Sequence, residues 1–152
     1  MSAAHANGSF PTPTLDSEAA GILQAVASHG GYAYVRMASQ AASSPTAAEA
    51  AREMAWEQLH SGPWHSVLPV WRDAYSMSCL HVAQCNYRNR EFKDALRVLD
   101  LGIIMGGPLL KPDLESAMKL VSAKAKEGQE NASGSNSRKL ADKADFDEAE
   151  VR

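Results

Sequence analysis

The chain has 152 residues, 45% of them hydrophobic, with a formal net charge of -3 and a pI of about 5.9. That length supports one globular domain, or one domain with a tail. The slight acidity leaves no basic field to collect nucleic acid or anionic lipid, which excludes both as direct partners.

Residues 1–13, rich in Ser, Ala, Pro, Thr and Gly, have no cationic start and no apolar segment, and read as a disordered lead rather than a secretory signal. A first helix starts near Thr14, a capping residue with Asp16 and Glu18 behind it. Leu15, Ile22, Leu23 and Val26 form its apolar side, and Gly30-Gly31 stops it. A second, short helix runs from about Tyr32 to Ala42. The third begins at Ser44-Pro45-Thr46, where Thr46 and Glu49 have capping-box spacing, and runs to Gly62-Pro63. Its face is Ala48, Ala51, Ala55, Trp56 and Leu59, which makes Trp56 a core residue.

The fourth helix starts at Val67 or Pro69. Trp71, Ala74, Tyr75, Ser78, Val82 and Cys85 form one stripe, and Val70, Met77 and Leu80 a second. Two apolar sides predict a helix sandwiched between neighbours. Arg72 and Asp73 fall on its surface. After the turn Tyr87-Arg88-Asn89-Arg90, a fifth helix spans about Glu91 to Met105 on Phe92, Ala95, Leu96, Leu99 and Ile103, and Gly106-Gly107-Pro108 ends it. Pro112 opens a sixth, with Asp113 and Glu115 early and Lys119, Lys124 and Lys126 late, as the helix dipole favours. Glu115 and Lys119 have ion-pair spacing. Residues 128–152 hold too little apolar surface to offset ordering entropy and read as a disordered polar tail.

The predicted fold is all-α, an antiparallel α-solenoid of armadillo- or tetratricopeptide-like helical repeats with about six helices over residues 14–127. One hairpin carries a partial tetratricopeptide pattern: Phe92, Ala95, Leu99 and Gly102 on its second helix and small Ala83 on its first. Arg90 stands where such turns usually carry glycine, so the repeat is irregular.

Motifs that would carry chemistry are missing. None of His5, His29, His60, His65 and His81 is followed two residues later by Asp or Glu, and none pairs with another at i,i+4. No phosphate-binding glycine loop occurs. Cys79 and Cys85, six residues apart in a helical pattern, point to different sides; they form neither a disulfide framework nor a zinc knuckle and imply a reducing compartment, nuclear or cytoplasmic. The loop Leu59-His60-Ser61-Gly62-Pro63-Trp64-His65 has two readings. It is a recognition loop built from His60, Trp64 and His65, or a connector in which Trp64 plugs the core and both histidines are solvated.

The stretches Met54–Val67, Trp71–Met77 and Ala95–Gly106 resemble the N-terminal region of lysine-demethylase-8-like Jumonji proteins, the plant members above all. The resemblance implies a longer protein. Its chemistry would lie in a C-terminal Jumonji-C barrel, an Fe(II)- and 2-oxoglutarate-dependent oxygenase linked to histone-lysine demethylation or arginyl hydroxylation, nuclear localisation and the plant circadian clock. None of the barrel's metal ligands can be placed on these residues, so no catalytic, cofactor-binding or metal residue is expected here. The expected function is a non-catalytic protein-interaction module whose partner is a Jumonji-C barrel, in cis or in trans, or another nuclear protein. The alternative is a truncated or partial product of such an oxygenase.

Overall fold

The computed structural model describes residues 12–128, and in their order lie α1 (Pro13–Ser28), α2 (Tyr32–Gln40), α3 (Pro45–Leu59), a 3-10 turn (Trp64–Ser66), α4 (Pro69–Arg88), α5 (Phe92–Met105) and α6 (residues 111–128). The six helices form an all-α antiparallel repeat, and no strand occurs among the described residues. Most of the expected lead and tail lies outside that range.

Proline sets three of the starts. Pro13, Pro45 and Pro69 each occupy the first turn, where a missing N–H leaves no carbonyl unpaired. Two helix ends are also built alike. At the end of α1 the Gly31 and Gly30 amides donate to Val26 and Ala27 carbonyls at 2.9 Å each, with Gly30 at φ 85°. At the end of α4 the Glu91 and Arg90 amides donate to Asn86 and Tyr87 at 2.8 and 3.0 Å, with Arg90 at φ 62°. Both are the paired-bond stop that needs a left-handed residue after the cap. The turn that lacked its glycine keeps the glycine geometry.

α4 is the axis of the domain. It packs against α1, α3 and α5, while α2 packs against α1 and α3. Every residue from Ala74 to Leu80 is buried, as a helix enclosed on several sides requires. On one side Trp71 meets the Tyr34 ring edge-on at 5.6 Å. The Tyr34 hydroxyl, fully inside, donates to the Ala74 carbonyl and shares a hydrogen bond with Ser78 Oγ, both at 2.8 Å. Burial raises this phenol's pKa far above its ordinary value. Gly102 of α5 lets three helices meet: a Cβ there would stand 3.0 Å from both Cys79 Cβ and Leu114 Cδ2. Its place in the hairpin pattern is therefore a close-approach position.

Several local expectations need correction. α1 starts at Pro13 with Thr12 in the cap position, not at Thr14, and Thr12 is buried rather than part of a loose lead. The first-turn Leu15 amide is held instead by Asp113 Oδ2 at 2.8 Å, across 98 positions of sequence. Asp113, only 2% exposed, thus joins the starts of α1 and α6. Ser44 rather than Thr46 caps α3, accepting from the Ala47 amide at 3.1 Å, because Pro45 takes the first helical position. Glu49 turns to Arg52 at 3.0 Å instead of back to the cap. α2 stops at Gln40 and α3 at Leu59, both short of the expected ends. Late in α6 the ion pair is Lys124–Glu127 at 3.8 Å, not Glu115–Lys119.

Candidate functional site

Trp56 departs most informatively from its expected place. It lies one step beyond Ala55 around α3, so the stripe Ala48, Ala51, Ala55 and Leu59 turns inward while Trp56 stays at the rim, 36% exposed. Its indole is fixed by two neighbours, His60 at 4.3 Å and Tyr75 of α4 at 5.6 Å between ring centroids. Between α3 and α5 it lines an open groove of about 270 Å³ with Arg52, Glu53, Glu57 and Leu101. Arg52 is tied to Glu49 at 3.0 Å, while the Tyr75 hydroxyl is buried without a hydrogen-bond partner among the described residues. Burial pushes the Tyr75 phenol upward, and it pushes the neighbouring Cys79 thiol to about 12. Both therefore stay protonated near neutral pH, and Cys79 behaves as a small apolar residue. Glu53 and Glu57 are exposed, and neither has a cationic partner among the described residues. One turn past Leu101, Ile104 is 63% exposed.

The loop at 60–65 is only partly gathered. His60 folds back on α3, its Nδ1 2.8 Å from the Trp56 carbonyl, and so closes the helix end while stacking on Trp56. His65 is exposed on the 3-10 turn. The Trp64 side chain lies outside the described atoms. The structure thus brings His60 to the α3–α5 groove through Trp56, a link that sequence spacing carried as Trp56 and His60 at i,i+4.

A second groove of about 260 Å³, sharing Glu57 with the first, lies among Gly30-Gly31, Tyr34, Met54, Glu57 and Trp71. Arg72 and Asp73 are half-buried rather than solvated. The Arg72 carbonyl accepts from the Gly107 amide at 3.2 Å, and the Asp73 carboxylate accepts from the Leu109 backbone. Burial raises the Asp73 pKa, and a Cβ on Gly107 would run into Asp73 Oδ1. Both residues seat the α5–α6 connector. Among the described residues no three His, Cys, Asp or Glu side chains gather as a metal ion requires. No described helix is long and apolar enough to cross a membrane.

The family model for KDM8-like, N-terminal ARM repeats matches residues 12–136. The chain belongs to this family. Among its relatives, lysine-specific demethylase JMJ30 of Arabidopsis thaliana is 59% identical over 134 residues, 86% of this chain and 31% of that protein. Lysine-specific demethylase 8 of Danio rerio is 29% identical over 89 residues, 54% of the chain and 22% of the relative. Lysine-specific demethylase 8 of Xenopus tropicalis is 33% identical over 60 residues, 38% and 13% respectively. The KDM8-like ARM-repeat chain therefore spans less than a third of the length of these relatives. No solved structure matches it. The ARM-repeat assignment agrees with the six-helix array and with α4 as its enclosed centre.

Proposed function

We propose that this chain is a non-catalytic helical-repeat module that holds other protein surfaces. Its first partner is the demethylase region of its relatives, in cis or in trans, or another nuclear protein. The observation that carries the reading is where the similarity falls: it fills 86% of this chain but 31% of JMJ30, and it coincides with ARM repeats. Stacked repeats present an extended surface without needing a reactive centre. In this reading Fe(II) and 2-oxoglutarate are held outside these residues, and the loop of His60, Trp64 and His65 contributes to the contact.

The test mixes the purified chain with the part of Arabidopsis JMJ30 beyond the matched stretch and follows heat. Association with a Kd of about 1–50 µM is expected, and none at about 200 µM overturns the reading. A His60→Ala/His65→Ala variant with weaker association and unchanged melting places the loop in the contact; unchanged association makes it a connector. The coverage of 31% also supports the second reading, a partial product of an Fe(II)/2-oxoglutarate oxygenase. Coding sequence downstream of Arg152 that continues in frame into a His-x-Asp motif favours it, and a stop codon there opposes it.

A further inference from the structure

We propose that the groove between α3 and α5 docks a basic segment of a partner protein, laying an Arg or Lys side chain on Trp56 beside Glu53 and Glu57. The proposal rests on the module reading and gives the chemistry of what the module holds.

Three observations on one surface carry it. First, the groove's volume of about 270 Å³ suits one or two long side chains rather than a whole cofactor. Second, its aromatic wall is prepared. Trp56 is 36% exposed yet braced by His60 and Tyr75, so its ring loses little freedom on binding. A guanidinium or ammonium over an indole is the strongest of the cation–π pairs.

Third, the charges select the occupant. The groove's own cation, Arg52, is neutralised by Glu49 at 3.0 Å. On α5, Asp94 and Arg97 neutralise each other at 3.2 Å. Glu53 and Glu57, one turn apart on α3, are left facing the groove without a cation among the described residues. An acidic occupant meets like charge and an apolar one leaves the carboxylates unanswered, whereas a basic one pairs with both. Leu101 on the far wall, with exposed Ile104 a turn beyond, receives the aliphatic stem or an apolar neighbour of the cation.

The probe is a fluorescein-labelled ten-residue peptide alternating Arg or Lys with Leu and Gly, read by polarisation against the full chain. Its control is the same peptide with Glu in place of each cation. The basic peptide is expected to bind at tens of micromolar in low salt, several-fold more weakly at about 0.3 M, with no binding of the acidic one. Glu53→Gln/Glu57→Gln is expected to weaken it about tenfold at an unchanged melting temperature. Trp56→Leu weakens it about three- to tenfold, and Glu115→Gln/Glu127→Gln on α6 leaves it alone. Equal weakening by the α6 pair, or equal binding of both peptides, overturns the groove as the site. Association with the demethylase region that survives Glu53→Gln/Glu57→Gln intact also overturns it, yet leaves the module reading standing. Loss of that association in the unaltered chain sinks the module reading, while the peptide titration still judges the groove.

Discussion

The two sides of α4 are one helix in two environments. Trp71, Ala74 and Ser78 look toward α1 and α2, where Tyr34 spends its hydroxyl on the α4 backbone and on Ser78. Tyr75 looks the other way, under a partly exposed Trp56 and the Arg52–Glu49 pair. Each side borders a groove, but on the first the aromatic rings are buried, with Trp71 only 7% exposed, whereas on the second Trp56 stays 36% exposed. The difference separates tasks. Trp71 and Tyr34 on the buried side are expected to set stability, and Trp56 at the rim of the other to tolerate change.

The two tryptophans sharpen this contrast most. Trp71→Ala is expected to destabilise by about 3–5 kcal/mol, as a large core aromatic does, which can unfold a domain this small. Trp56→Ala should cost no more than about 2 kcal/mol, since part of its ring already meets water. Urea titrations of both variants read the two values, and equal losses would break the distinction.

Asp113, 2% exposed, is a second lever in the buried interior. Asp113→Ala leaves the buried Leu15 amide without its acceptor and is expected to cost about 1.5–3 kcal/mol. Hydrogen exchange should locate the loss at the start of α1, and a loss spread evenly over all helices would contradict the local account.

The sequence made much of this legible, and the limits have physical causes. Three- and four-residue spacing revealed α4 as double-sided and Gly102 as a small contact position, because both follow from helical period alone. It misplaced Trp56, since a residue at the edge of a stripe is settled by how close the next helix comes. It could not reveal Asp113, whose partner lies 98 positions away. Nor could it decide the loop, where His60 is tied to its own helix and His65 is exposed.

The helix ends show the same limit on a smaller scale. Gly30 and Arg90 share a left-handed backbone, but only the glycine announces it. Gly30→Ala should cost about 1 kcal/mol. Arg90→Gly should gain about 0.5–1 kcal/mol, less whatever the guanidinium gives up 5.8 Å above Phe92. Opposite shifts in melting temperature are the expected outcome, and shifts of one sign would refute the shared geometry.

The smallest effect depends on pH. Burial lowers the His81 pKa below its ordinary 6.5, so the folded state resists protonation. The stability tied to its neutral form is present above pH 6.5 and is lost as pH falls below that value. His81→Gln should flatten the fall in melting temperature between about pH 7 and 5, and an equally steep fall would assign it to other groups.

The proposed module holds its partners on the Trp56 side of α4, with the Trp71 side as support. Hydrogen–deuterium exchange of the chain, alone and with the demethylase region of JMJ30, tests this most directly. Slowed exchange confined to the second half of α3, the 60–68 connector and the end of α5 is the predicted result. Protection centred on α1 and α6, with the α3–α5 groove unchanged, would contradict it.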